Sequence, residues 1–156
     1  MPRSLLRKSV RSKATRIPKE YLLPLPGQFV RDTSLACHLA LTGCGSATGS
    51  EHALNEVIRA TYLSFLLWDG GYGEAEPRLF QEAEEILGAA VTRARGNAVW
   101  RLEECETPVI EKVLRLHDEQ IAAVPTHIFL RAETRLAALL RAEMSKSPIE
   151  RRFGCD

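Results

Sequence analysis

The chain has 156 residues, of which 45% are hydrophobic and 26% charged, and a formal net charge of +1. That length suits one ordinary hydrophobic core and is short for two, and no apolar run approaches the ~20 residues of a membrane span, so no membrane partner is expected. The small net charge hides an asymmetry: residues 1–20 carry Arg3, Arg7, Lys8, Arg11, Lys13, Arg16 and Lys19 against Glu20 alone, a balance of +6 that leaves about −5 for the rest. Charge divided between an arm and a body points to an interaction tail.

Residues 1–19 contain few large apolar groups, namely Leu5, Leu6, Val10 and Ile17. Such a segment buries too little surface to offset its ordering entropy, so it is read as a flexible basic arm. The arm admits several roles: a solubilising tail, a neutraliser of nucleic-acid phosphates, an Arg- and Ser-rich transit peptide, or a weak contact with an anionic membrane surface. Residues 20–28 follow as an apolar strap. Pro24 and Pro26 exclude a helix interior there and hold the preceding leucines extended. Tyr21, Leu22, Leu23 and Leu25 are expected to dock on the body.

Residues 29–147 read as an all-α single-domain bundle of about five helices. The first runs from Phe29 to Leu41, with Arg31 and His38 on its wetter face, and a Gly- and Ser-rich linker from Thr42 to Ala47 follows it. The second is the stretch from Thr48 to Gly73. Thr48 and Glu51 fit a capping box there, and Ser50 is the competing N-cap. Leu54, Val57, Ile58, Thr61, Phe65 and Trp68 share one face, and Leu63, Leu66 and Leu67 make the opposite face apolar towards the end. A helix apolar all round has neighbours all round, so this one is predicted to be the centre of the bundle. Asp69-Gly70-Gly71-Tyr72-Gly73 lacks the spacing of a phosphate-binding loop and reads as a helix cap and turn.

The third helix spans Glu76 to Arg95, with Pro77 in its first turn and Gly96 just past its end. Its acidic start (Glu76, Glu82, Glu84, Glu85) and basic end (Arg93, Arg95) match the helix dipole. Asn97 to Leu102 is a connector anchored by Trp100 and Leu102. Thr107 is read as the cap of the fourth helix, whose stripe is Ile110, Val113, Leu114, His117, Ile121 and Val124. The fifth runs from His127 to about Met144 on a stripe of Phe129, Ala132, Leu136, Leu139 and Leu140. Residues 148–156 read as a polar tail.

His117 is the most interesting titratable group. His117-Asp118 is one element of an all-helical metal phosphohydrolase pattern, which also needs an upstream His and a downstream Asp. The next Asp after Asp118 is Asp156, so a buried, hydrogen-bonded core histidine is the preferred reading. Cys37, His38, Cys44 and His52 lack zinc-ligand spacing, and Glu-x-x-His pairs, GxSxG, HExxH and P-loops do not occur. No catalytic residue, metal ligand or cofactor is assigned, and the chain is not read as an enzyme. Cys37, Cys44, Cys105 and Cys155 form no CxxC and follow no secretory signal. They read as reduced thiols of a cytoplasmic protein.

RIPKEYLLPLPG, LACHLAL, ATYLSFLLWDGGYG, LRLHDEQIAAVP and the closing SPI resemble segments of a group of small helical proteobacterial proteins. Members are commonly described as Fis-type transcriptional regulators, which implies DNA binding through a C-terminal helix–turn–helix. Here the C-terminus is a Leu/Ala helix followed by SKSPIERRFGCD, so no functional residue is carried over. The leading functional expectation is a small regulatory or accessory protein touching nucleic acid through Arg3, Arg7, Lys8, Arg11, Lys13, Arg16 and Lys19. The alternative is a helical protein–protein adaptor or homodimerisation module with no nucleic-acid role. The third is an all-α metal-dependent hydrolase using His117.

Overall fold

A computed structural model of the chain describes residues 16–46, 49–142 and 147–153. These form a 3₁₀ turn, Lys19–Leu22, and six α-helices: α1 (Gly27–Gly45), α2 (Glu51–Asp69), α3 (Pro77–Asn97), α4 (Thr107–Ala123), α5 (Thr126–Arg141) and α6 (Pro148–Phe153). Among the described residues there is no strand; an isolated bridge joins Pro24 to Pro125.

The expected hub is the observed hub. The hydroxyl of Ser50 accepts from the Ala53 amide at 3.2 Å and starts α2, while Thr48 lies outside the described residues. Leu54, Val57, Ala60, Leu63, Phe65, Leu66 and Leu67 are all buried. Because these positions circle the helix, α1, α3, α4, α5 and α6 all pack against it. Burying each large apolar side chain contributes about 1.5–3 kcal/mol, so α2 holds a large share of the core. Near its C-terminal end an aromatic cluster ties three helices together. Phe65 meets Phe80 of α3 edge-on at 5.4 Å and Phe153 of α6 at 6.1 Å, and Trp68 touches both.

Several boundaries differ from the sequence reading, each for a local physical reason. α1 begins two residues early and continues through the Gly-rich segment to Gly45, because Leu41 and Cys44 on its inner face are buried. Gly96 lies inside α3, and Ala98 takes the left-handed conformation (φ 57°) that ends it. Thr107 is helical, and its hydroxyl donates back to the Glu103 carbonyl. Of the strap, only Leu25 is buried; Tyr21, Leu22 and Leu23 are exposed, Leu23 by 61%. The strap is held by backbone instead, since the Leu23 carbonyl accepts from the Thr126 amide and hydroxyl, and the Tyr21 carbonyl accepts from His127 Nδ1. The segment read as a polar tail forms α6, in which Ile149 is fully buried and Phe153 joins the aromatic cluster. Two apolar residues at spacing four are enough to dock one turn of helix on a formed core, although the segment is mostly charged.

The connector after α3 is pinned as expected by Leu102, whose amide donates to the Cys44 carbonyl. A side chain at Gly49 would collide with the Trp100 carbonyl, 2.1 Å from its Cβ position. Glycine is therefore required where these two connectors cross. Arg93 closes the same corner with a two-pronged contact to the Glu106 carboxylate at 2.9 and 2.7 Å.

Candidate functional site

The end of α2 and the loop that follows it form one wall of an open groove, and α5 forms the other. Leu66, Leu67 and Ala132 make its floor, with Tyr72 and Ile128 on its sides. Its volume is about 610 Å³, within the range of natural binding clefts. On α5 the lining includes Ile128, Arg131, Ala132, Arg135 and Ala138, at the three-to-four spacing of one helical face, together with Leu130 and Thr134 at its margin. α5 packs on α2 and on the 3₁₀ turn, and among the described residues this neighbouring face stays open.

The loop wall is held from below by Gln120 of α4. Gln120 is buried and donates to the Tyr72 carbonyl at 2.8 Å and the Ser64 carbonyl at 3.0 Å; its own carbonyl accepts from the Ser64 hydroxyl at 2.7 Å. The Tyr72 amide donates to the Leu67 carbonyl. Gly73 turns the chain at φ 85°, and a Cβ there would lie 2.8 Å from Leu116. The loop backbone is therefore tied to both α2 and α4, and Tyr72 lines the groove from it.

Arg131 and Arg135 are exposed on α5. Arg135 lies 3.4 Å from Asp69, which Arg152 also approaches at 3.3 Å. Arg131 has no ion-pair or hydrogen-bond partner among the described residues. Two guanidinium groups thus share one carboxylate beside an apolar floor, and a third, that of Arg131, stands near them on the same rim. Glu133, between these arginines on α5, turns to the other side and pairs with Arg59 of α2.

The nucleic-acid residues named from the sequence are largely outside this region. Arg3, Arg7, Lys8, Arg11 and Lys13 lie outside the described residues. Arg16 and Lys19 are exposed, Lys19 at the start of the 3₁₀ turn.

His117 lies in the α4 core stripe as expected and is only 1% exposed. The expected hydrogen bond is missing: among the described residues neither Nδ1 nor Nε2 has a partner, and Asp118 Oδ1 is likewise buried and unpaired. Burial drives the imidazole pKa down to about 4. Asp118 opposes that shift, and Arg59 and His38 add to it. The fold does bring an upstream histidine to this motif, with His38 Nε2 2.8 Å from Asp118 Oδ2. The remaining parts of a metal site do not assemble. Among the described residues no three His, Cys, Asp or Glu side chains are grouped to hold a metal ion. Cys37 and Cys44 are buried in α1, each thiol raised by burial to about 11, and His52 is exposed on α2.

Among the described residues no helix is long and apolar enough to cross a membrane. The chain belongs to the class of small all-helical single-domain proteins on its architecture. Comparison with protein-family models, with curated proteins and with solved structures gives no match, so the particular function rests on this geometry. Gln120 and Ser64 went unread in the sequence as site-forming residues. A glutamine on an otherwise apolar helical face, four residues before a Val-Pro turn, was the available signal.

Proposed function

We propose that this chain is a helical protein-interaction module whose partner seat is the groove between α2 and α5. The observation that carries the reading is an apolar cleft of about 610 Å³ beside a pinned loop, with no carboxylate, imidazole or thiol in its lining among the described residues. Recognition sites combine an apolar floor with a few placed polar groups that set orientation, and Arg131, Arg135 and Thr134 supply those here. The hydrolase reading gains little support, because His117 is sealed from solvent.

The test is a photo-activatable residue in place of Ala138, which is exposed and lines the groove. A discrete adduct should form with one protein in extracts of the source cells. The same group at Glu82, on the exposed side of α3, should give none. The captured protein, once purified, should bind the wild-type chain and not Ala138→Trp. Equal adducts at both positions, or none at either, would remove the reading.

A second reading is favoured by the arm. Its +6 balance and the exposed Arg16 and Lys19 suit electrostatic contact with nucleic acid. Full-length protein and a variant beginning at Tyr21 should be titrated with duplex DNA across a salt series. The reading requires a steep salt slope, about −0.9 for each phosphate neutralised, that the shortened variant lacks.

A further inference from the structure

We infer that the partner of the groove is an amphipathic helix carrying acidic side chains beside its apolar stripe. The inference rests on the interaction-module reading and names the chemistry of what docks.

The first argument is shape. The α5 wall extends from Ile128 to Ala138, which at 1.5 Å per residue is about 15 Å, or nearly three helical turns. Its lining includes a row at three- and four-residue steps, Ile128, Arg131, Arg135 and Ala138, with Leu130 and Thr134 beside it, and such a row is what a second helix meets when ridges enter grooves. The groove is open to solvent along one side, so a small molecule there would keep much of its surface wet, whereas a helix covers the cleft with one face.

The second argument is charge. Arg131 and Arg135 are one turn apart, about 6 Å along the axis, and project from the same rim. Asp69 is already shared between Arg135 and Arg152, and Arg131 is unpaired among the described residues. The rim therefore offers cationic groups at the spacing at which a partner helix presents carboxylates at positions i and i+4. A nucleic-acid backbone would bring phosphates over a floor of Leu66, Leu67 and Ala132, where desolvation opposes it.

The experiment uses the full-length chain and three labelled peptides of about 18 residues, the length of a stable helical probe. All three share a leucine stripe at i, i+3, i+4 and i+7. The flanking positions are Glu in one, Gln in the second and Lys in the third. Fluorescence anisotropy should rank Glu above Gln above Lys, with at least about tenfold between the first and last. Arg131→Glu combined with Arg135→Glu should invert the order, and Ala138→Trp should abolish binding of all three. These positions are exposed, and far-ultraviolet circular dichroism confirms that each variant is folded. If Gln and Glu peptides bind equally and Ala138→Trp abolishes both, the acidic-helix inference falls and the groove reading survives. If no peptide binds, or Ala138→Trp changes nothing, both fall. If light scattering shows a dimer that Ala138→Trp dissolves, a second copy fills the groove and the acidic-partner inference is overturned.

Discussion

The two flanks of α2 follow opposite rules. Towards α1 and α4 the helix is closed over, and polar groups are taken inside: Ser64 and Gln120 in a complete hydrogen-bond set, His117 with none. Towards α5 the same helix leaves Leu66 and Leu67 as the floor of an open cleft, with cations on its rim. The closed flank spends stability on buried polar atoms to fix the shape of the Gly70–Gly73 loop. The open flank uses that fixed loop as a wall. One side of the helix is therefore closed by packing and the other borders an open cleft.

Breaking the closed flank should have the largest effect. Gln120→Leu leaves the Ser64 and Tyr72 carbonyls without their donor. At about 1–3 kcal/mol for each buried unsatisfied group, a loss of roughly 3 kcal/mol is expected in urea denaturation, together with a change in Tyr72 fluorescence as the wall loosens. A loss under about 1 kcal/mol, small against these penalties, would show that the loop is held by its own turn chemistry.

The next effect is pH dependence. The folded-state pKa of His117 is near 4 against an ordinary value of 6.5. The unfolded chain therefore binds the proton first as pH falls. Stability from this group is complete above pH 6.5 and declines through the window down to about pH 4, with a slope approaching about 1.4 kcal/mol per pH unit. His117→Leu should flatten that part of the profile and leave stability at pH 7 unchanged or higher, since no hydrogen bond is lost. A large loss at pH 7 would mean that the ring nitrogens are satisfied in solution.

A smaller effect sharpens the same flank. The Asp118 carboxylate favours the His117 imidazolium, so Asp118→Asn should move the histidine midpoint still lower, while Arg59→Ala should raise it. Proton-coupled nuclear magnetic resonance of the ring reads both. Because His38 and Asp118 are partly exposed, removing their pair should cost no more than about 1 kcal/mol. A midpoint that moves upward in Asp118→Asn would contradict this arrangement.

The open flank should be nearly silent in stability. Leu130→Ser and Ala138→Gln, both exposed groove positions, are expected to fall within about ±0.5 kcal/mol. Any loss well beyond that would mean the groove wall is part of the core after all.

Much of the fold was legible because helical periodicity is local. The apolar faces of the second, fourth and fifth helices could be read from spacing, apart from Leu140, which falls on the fifth stripe by spacing and is 64% exposed at the end of α5, and the all-round apolarity of Leu63 to Leu67 marked the centre of the bundle. The strap was read less well. Tyr21, Leu22 and Leu23 are apolar, but the two prolines set a path in which backbone carbonyls, not side chains, make the attachment. α6 was missed because Ile149 and Phe153 are only two apolar residues among charges, and their value depends on a pocket that three other helices create. The groove was not legible as a site. It exists only where α5 meets the loop after α2, segments roughly 60 residues apart.

From the sequence alone came the helical class, the central helix, the charge asymmetry of the arm and the place of His117 on a core face, all consequences of residue type and spacing along one chain. Only the tertiary structure decided that His117 lacks a partner, that His38 meets Asp118, and that Gln120 holds a loop against which an apolar groove opens. Those facts depend on how helices distant in sequence approach one another, and side-chain volume and hydrogen-bond geometry set that approach.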